Sequence, residues 1–311
     1  MTERALTSGQ RWAAEQLEEL RGARFAPGAL GAFLVASLRR SAEVRAARPD
    51  LARQSRRWMT AGAVAWLALA FARVEPFCSR RRAGLGWWAA TALMLDWHLG
   101  MLETPRGAPR PLGPADAATL ARAWLVPVVA THPTALVCLI AGASDVVDGR
   151  LARATAPTRA GRDLEGLVDA CFLAAALAGL RRRRALGRGV VIAEGARVTA
   201  GIAYAVYEYF GQARAPDEEV LGAGRASTAA RLGGLAAAAA GRRRVGGTLL
   251  AAGSTAGLAE VAMRMRWRAQ RDYGWGRATL SGTTLVPRRG GRVALVEPAL
   301  SKEPARGGRW A

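Results

Sequence analysis

The stretch from Asp145 to Asp169 is the most informative part of the sequence for the fold. It begins with DVVDGRLAR at Asp145, continues with seven further residues, and ends with GRDLEGLVD at Asp169. Asp145 and Asp148 are three residues apart, and Glu165 and Asp169 are four apart, so each pair shares one face of a helix. The first pair ends one apolar block and the second pair opens the next, with a short loop between the blocks. The four carboxylates are therefore predicted to converge at one end of a helix pair.

The chemistry of this cluster follows from its charge. Four neighbouring carboxylates repel one another unless cations neutralise them, and hard oxygen ligands suit Mg²⁺ or Mn²⁺. A diphosphate substrate would complete the coordination, and one carboxylate could take a proton from an attacking hydroxyl. The small residues Gly149 and Ala152 would leave room for a ligand against the helix, and Arg153 could pair with phosphate.

A simpler interpretation is that these acids only balance the arginines around them at a membrane surface. Acids near helix ends are common, and that interpretation suits each acid taken singly. The joint spacing of the four acids, with Gly, Ala and Arg between them, favours a site.

The apolar residues predict a membrane protein. They make up 51% of the 311 residues and occur in blocks rather than at amphipathic spacing, with few polar faces of the kind a soluble helical bundle shows. We predict an all-α integral membrane protein with a six-helix transmembrane core and about two extra transmembrane helices before it. The eight blocks are 58–74, 84–101, 117–131, 134–148, 163–180, 188–210, 226–241 and 245–263.

The blocks also divide the chain. The predicted segments are a basic, partly amphipathic region at 1–57, a two-helix transmembrane extension at 58–101, a linker at 102–115, a core at 116–265 and a basic, flexible tail at 266–311. The first of these is interpreted either as an interfacial helix on the cytoplasmic surface or as a disordered tail.

The net charge of +21 does not by itself decide which kind of partner the protein binds. Nucleic-acid binding is not expected, because the arginines lie beside apolar blocks and no nucleic-acid-binding motif occurs. Contact with anionic membrane lipid fits their placement, and compositional bias contributes. The chain has three well-separated cysteines and two histidines, which argues against a disulfide framework, a thiolate zinc site and histidine-based metal sites.

The motif resembles the signature of the CDP-alcohol phosphatidyltransferase family, Asp-x-x-Asp-Gly-x-x-Ala-Arg followed by Gly-x-x-x-Asp-x-x-x-Asp. The chain departs from it at Glu165, where the family has Asp. Asp116, Thr119 and Arg122 are similar to an Asn-x-x-Thr-x-x-Arg stretch of the family, with Asp in place of Asn. A weaker likeness to a Gly-Lys-x-x-Thr stretch starts at Gly224, so that the resemblance covers about 116–263.

The resemblance implies a donor, an acceptor and two metal ions. The donor would be CDP-diacylglycerol, the acceptor an alcohol and the leaving group CMP. By analogy, Asp169 would be the base that activates the acceptor hydroxyl. The metal ligands implied are Asp145, Asp148, Glu165 and Asp169, and the residues implied around the CDP group are Gly149, Ala152, Arg153, Thr158, Gly161, Asp116 and Thr119.

Four charged residues inside the apolar blocks are candidates for acceptor binding. Glu194 and Arg197 are three apart and are interpreted equally well as a functional site or as a structural pair on one helix face. Arg122 and Arg231 could bind a phosphate on the acceptor, although extension to the membrane surface is the favoured interpretation for both.

The sequence therefore predicts a phospholipid-synthesising enzyme in the cell membrane, with several spans and an active site facing the cytoplasm. A homodimer is the candidate assembly. The arginine clusters at 80–82, 181–184 and 242–244 would then face the opposite side, against the positive-inside tendency. The alternatives are an intramembrane prenyltransferase with an Asp-rich diphosphate site, and a silent relative that serves as a membrane scaffold or transporter.

Overall fold

The computed structural model describes residues 8–101, 110–155, 159–212, 222–280, 285–287 and 293–295. The helices are α1 (Ser8–Gly22), α2 (Pro27–Ala47), α3 (Pro49–Phe71), α4 (Arg81–Trp97), α5 (Pro114–Thr131), α6 (Ala135–Thr155), α7 (Arg159–Arg182), α8 (Arg188–Val206), α9 (Gly222–Ala239) and α10 (Arg243–Leu280). A 3₁₀ turn at Leu99–Met101 follows α4, and a π-helical turn at Tyr207–Gly211 follows α8.

The chain forms two compact units. The larger runs from Ala5 to Val261, and its described elements are all helical. The other holds the chain from Ala262 onward, where β1 (Leu285–Pro287) pairs antiparallel with β2 (Val293–Leu295). The prediction of an all-α fold is therefore confirmed for the larger unit, and the short strand pair is an addition to it.

Local sequence explains where several helices begin. Pro27, Pro49 and Pro114 each occupy the first turn of a helix, where the missing N–H costs no intrahelical bond. Between α9 and α10 the chain turns at Gly241, whose φ of +84° suits a residue without a Cβ.

A proline inside α5 is compensated by a tryptophan of α4. Pro127 has no N–H, so it leaves the carbonyl of Ala123, one turn earlier, without its helical partner. Trp87 Nε1 donates to that carbonyl oxygen at 2.8 Å. The fourth helix therefore completes the backbone hydrogen bonding of the fifth, which matters most where no water is present.

The helices α3 and α4 each place a tryptophan ring against a glycine of the other helix, so the two helices pack closely. A Cβ on Gly62 would lie 2.3 Å from the ring of Trp88, and a Cβ on Gly84 would lie 2.0 Å from the ring of Trp66. Trp88 is only 6% exposed and donates to the Met59 carbonyl at 2.7 Å. A tryptophan beside an apolar block is typical of the membrane interface, and the sequence therefore predicts that Trp88 is an interfacial anchor. This prediction is wrong, because the indole group of Trp88 is buried between helices.

Close helix approach also joins the last helices of the larger unit. A Cβ on Gly234 of α9 would lie 2.9 Å from the backbone N of Leu250, and one on Gly246 of α10 would lie 2.6 Å from that of Ala238. The Gly- and Ala-rich sequence from Leu232 to Ala240 predicts close packing against another helix, and these distances confirm the prediction.

Within the described residues, one helix is both long and apolar enough to cross a membrane, namely Arg188–Val206 in α8. The stretch Ala135–Ser144 of α6 is apolar but shorter. The predicted number of six core spans plus two remains a prediction, since most of the helices combine apolar residues with charged ones.

Candidate active site

The two halves of the aspartate motif lie on consecutive helices. Asp145 and Asp148 are in the last three turns of α6, and Glu165 and Asp169 are in the first three turns of α7. Thr158 lies outside the described residues. The structure describes only the backbone at Asp145, Asp148, Gly149, Ala152, Arg153 and Gly161.

The acids of the second half of the motif, Glu165 and Asp169, lie on α7 beside the residues of that helix that face the core. Leu164 and Val168 are buried and pack in one hydrophobic cluster with Leu120 of α5. Glu165 and Asp169 follow these two residues directly, and both are partly exposed. Core packing by the leucine and valine therefore fixes the rotation of α7 that leaves the two carboxylates accessible.

Arg122 connects the two halves of the motif. Its side chain is 3% exposed and forms an ion pair with Oδ1 of Asp169 on α7. Its Nε donates to Ser144 Oγ on α6 at 3.3 Å, and Ser144 directly precedes Asp145. The interpretation that Arg122 extends to the membrane surface is therefore wrong, because a carboxylate and a hydroxyl hold it inside the helix bundle.

The start of α5 carries the other two residues assigned by resemblance to the CDP group. Asp116 Oδ2 accepts a hydrogen bond of 2.7 Å from the backbone N–H of Gly113, which caps the helix. Thr119 lies one turn later and is buried. Both residues are at the helix end at which α6 finishes and α7 begins.

A second charged cluster lies on α8, α9 and α10. Glu194 is completely buried, and its Oε1 accepts 2.8 Å and 3.2 Å hydrogen bonds from Arg197 and Arg231. Its Oε2 accepts a bond of 2.6 Å from Ser254 Oγ. The predicted Glu194–Arg197 pair is confirmed. Arg231 is a partner in the same cluster, so the interpretation that it extends to the membrane surface is wrong.

The tenth helix makes room for both arginine side chains. A Cβ on Gly253 would lie 2.6 Å from Cγ of Arg231, and a Cβ on Gly257 would lie 2.6 Å from Cδ of Arg197. Since these two glycines are four residues apart, they form one smooth face of α10, and Ser254 beside them bonds to Glu194. The arginine stems pack over glycine while their guanidinium groups converge on one carboxylate.

The two clusters lie at similar positions along their helices. Arg122 lies 8 residues after the first residue of α5, Asp169 lies 10 residues after that of α7, and Arg231 lies 9 residues after that of α9. Each offset corresponds to about 12–15 Å along the helix. Among the described side chains, two arginines and one glutamate give the Glu194 cluster one excess positive charge.

Sequence reasoning missed the residues that complete these clusters, which are Ser144, Ser254, Gly253 and Gly257. A usable signal exists only for the last three, in the run Gly253-Ser254-Thr255-Ala256-Gly257. That run places two glycines and a serine on neighbouring positions of one helix face.

The described side chains contain no group of three or more His, Cys, Asp or Glu residues that could hold a metal ion. Asp145 and Asp148, whose side chains are not described, are therefore needed to complete the predicted metal set. Glu165 and Asp169 fit such a set, because they are oxygen donors one helical turn apart and both keep accessible surface.

Comparison with known families agrees with the motif. Residues 114–258 match the family model described as CDP-alcohol phosphatidyltransferase. This segment is similar to CDP-alcohol phosphatidyltransferase domains. No curated protein and no solved structure matches the chain. The resemblance inferred from the aspartate motif is therefore confirmed, and the matched segment runs from the first residue of α5 into α10.

The family gives the coarse function of this domain. CDP-alcohol phosphatidyltransferases are membrane-embedded enzymes of phospholipid headgroup transfer that take a CDP-activated substrate and an alcohol acceptor, and they generally use divalent metals. Both charged clusters described above lie within the matched segment, since their residues run from Arg122 to Ser254.

Proposed function

We propose that this protein transfers a phosphatidyl group from CDP-diacylglycerol to an alcohol that carries an anionic group. The acceptor oxygen forms a bond to the phosphorus beside the diacylglycerol, the bond from that phosphorus to the CMP oxygen breaks, and the hydroxyl proton goes to a carboxylate. The observation that carries the proposal is the position of Asp169, which is paired with the buried Arg122 and lies about as far along α7 as Arg231 lies along α9.

Asp169 is the proposed general base. Its side chain is 43% exposed although its partner Arg122 is only 3% exposed, so the carboxylate is held by a buried partner and still keeps accessible surface. The ion pair fixes the orientation of the carboxylate, and a general base must be positioned within hydrogen-bond reach of the hydroxyl whose proton it takes.

The Glu194 cluster is the proposed acceptor subsite. Glu194 neutralises only one of the two guanidinium groups that it binds, and it holds both in place. A phosphate on the acceptor would supply the missing negative charge and accept hydrogen bonds from Arg197 and Arg231. Glycerol phosphate and inositol phosphate have this chemistry. Serine, with a carboxylate, is a weaker match, and a neutral alcohol is not expected to bind.

The donor end of the site is assigned by family analogy. Asp145, Asp148, Glu165 and Asp169 are the proposed ligands of two Mg²⁺ or Mn²⁺ ions. Such ions would neutralise the diphosphate and hold it at this end of the helices. The proposed contacts of the CDP group are Gly149, Ala152, Arg153, Thr158, Gly161, Asp116 and Thr119.

Placement in the membrane is also part of the proposal. CDP-activated donors are made in the cytosol, so the helix ends that carry the motif are assigned to the cytoplasmic side of the cell membrane. The six helices of the core and the preceding pair, α3 and α4, are the proposed spans, and the protein is proposed to act as a homodimer.

The test is CMP release by the purified protein in detergent, with CDP-diacylglycerol, Mg²⁺ or Mn²⁺ and a panel of acceptors. We expect release with a phosphorylated alcohol and its loss in Asp169→Asn. Release of pyrophosphate from a prenyl diphosphate would instead identify a prenyltransferase. No release with any acceptor or metal would contradict the proposal and favour a silent scaffold or transporter.

A further inference from the structure

The face of α3 that points away from α4 carries an open groove of about 520 Å³. It is lined by Arg53, Arg56, Arg57, Thr60, Ala61 and Val64. These positions are spaced three, one, three, one and three residues apart, so that they form one stripe along the helix. All six residues are exposed, and the stripe lies outside the matched segment at 114–258.

The two ends of the groove differ in chemistry. The end of the groove nearer the start of α3 is lined by Arg53, Arg56 and Arg57. Within the described part of the chain, none of these arginines forms an ion pair with an acidic residue. Thr60, Ala61 and Val64 continue the groove as a narrow, mostly apolar strip. The distance from Arg57 to Val64 is seven residues, or about 10 Å along the helix.

The opposite face of α3 explains why the arginines stay exposed. Leu51, Ala52, Ser55, Met59 and Trp66 are buried on that face. Trp88 of α4 donates to the Met59 carbonyl, and Trp124 of α5 donates to the Gly62 carbonyl, so the helix cannot rotate to hide its basic stripe without breaking these bonds. The positive charges are therefore held at a fixed place on the surface.

We infer that this groove binds one anionic phospholipid. The phosphate would lie among Arg53, Arg56 and Arg57, and an acyl chain would follow Ala61 and Val64 toward the bilayer interior. Charge complementarity selects the occupant, since an amphiphile with a negative head and an apolar chain matches a groove with a basic end and an apolar end. A free phosphate would match only the basic end.

The test is native mass spectrometry of the full chain released from detergent in the presence of phosphatidylglycerol or phosphatidylcholine. We expect one phosphatidylglycerol molecule to be retained in preference to phosphatidylcholine. The triple variant Arg53→Gln, Arg56→Gln, Arg57→Gln should weaken this binding by at least about ten-fold, because each arginine near a lipid phosphate contributes roughly five-fold.

Two controls make the result specific. The triple variant Arg242→Gln, Arg243→Gln, Arg244→Gln removes the same charge from another exposed cluster and should keep the bound lipid. Ala61→Trp keeps the three arginines but fills the apolar end, and it should lose the lipid. Equal weakening by both triple variants would overturn the inference in favour of bulk charge.

The remaining outcomes are also decisive. Retention of phosphatidylglycerol by both the Arg53/Arg56/Arg57 variant and Ala61→Trp would overturn the inference, as would displacement of the lipid by millimolar inorganic phosphate alone. The binding does not depend on catalysis, so Asp169→Asn should hold the same lipid. A failure of the proposed transferase activity is thereby distinguishable from a failure of this site.

Discussion

Arg122 and Asp169 form an ion pair in which one partner is buried and the other is half open, with side-chain exposures of 3% and 43%. The buried arginine also donates to Ser144 Oγ on α6. Water can reach the carboxylate but not the guanidinium group. The pair is therefore asymmetric, and the two residues should respond differently to mutation.

Loss of Asp169 should destabilise the protein more than loss of Arg122. Asp169→Asn removes the carboxylate that is paired with a buried guanidinium group, and breaking a buried ion pair from one side costs about 3–5 kcal/mol in other proteins. Arg122→Met leaves a carboxylate that water can solvate, so the cost should be smaller. Thermal unfolding in detergent would compare the two variants. A larger loss for Arg122→Met would contradict the assigned burial.

Arg231 should control the affinity for the acceptor. Arg231→Gln keeps a hydrogen-bond donor but removes the excess positive charge of the Glu194 cluster. We expect the KM for a phosphorylated acceptor to rise roughly 10–100-fold, because a charged hydrogen bond to phosphate is worth about 1.5–3 kcal/mol. The KM for CDP-diacylglycerol should change little. Steady-state CMP release checks both, and equal changes in both KM values would argue against an acceptor subsite.

Glu165 should determine the metal requirement. If Glu165 is a metal ligand, Glu165→Gln removes a charged oxygen donor, and the Mg²⁺ concentration for half-maximal activity should rise by about ten-fold or more. Glu165→Asp restores the acid that the family motif has at this position and should keep the activity. Titration of activity with Mg²⁺ after treatment with a chelator measures the effect. An unchanged titration in Glu165→Gln would exclude this residue as a ligand.

The tight packing of α3 against α4 should be sensitive to a single methyl group. Gly84→Ala places a Cβ 2.0 Å from the Trp66 ring, so a helix or an indole ring must move. We expect a loss of about 1–3 kcal/mol in unfolding free energy. Gly86→Ala is the matched control, because a Cβ there meets nothing within 4 Å. Equal melting temperatures for the two variants would contradict the described packing.

Cys78 can report which side of the membrane carries the turn between α3 and α4. Phe77 packs against Trp124 of α5 with ring centroids 5.2 Å apart, which places this turn toward the end of α5 that lies away from the motif. In sealed vesicles with the motif inside, an impermeant maleimide should label Cys78 from outside. Protection of Cys78 until the vesicles are opened would reverse the proposed orientation.

The labelling rate should depend on Glu75. The Cys78 thiol donates to Glu75 Oε1 at 3.1 Å, and this hydrogen bond raises the pKa of Cys78. The reactive thiolate is therefore scarce at neutral pH and increases as the pH rises. Glu75→Gln should lower the pKa toward its ordinary value and speed labelling at pH 8. The same variant in the presence of denaturant should show no such difference.

The sequence predicted the parts of the site that are local in the chain. The spacing within the aspartate motif identified the family, and the three-residue spacing of Glu194 and Arg197 predicted their pair. It could not predict that Arg231 and Ser254 join that pair, because they are 37 and 60 residues away from Glu194. Such contacts depend on how the helices pack, and a periodic pattern does not contain that information.

The same limit explains the errors. A tryptophan beside an apolar block suits both a lipid headgroup region and a gap between helices, and Trp88 takes the second environment because Gly62 leaves space for its ring. An arginine within an apolar block suits both the membrane surface and a buried partner. Arg122 takes the buried place because Asp169, 47 residues later, is brought next to it.

The hydrogen bond from Trp87 to the Ala123 carbonyl shows that the segment matched by the family model and the packed structural unit have different bounds. The segment that defines the family begins at residue 114, yet its first helix depends on a donor from α4, which lies before it. Gln54 bonds to the backbone N–H and carbonyl of Leu112, two residues before that segment, at 2.9 Å and 3.0 Å. The segment that matches the family model is therefore smaller than the packed unit that contains it, and an excised 114–258 fragment would lack the Trp87 donor of its first helix.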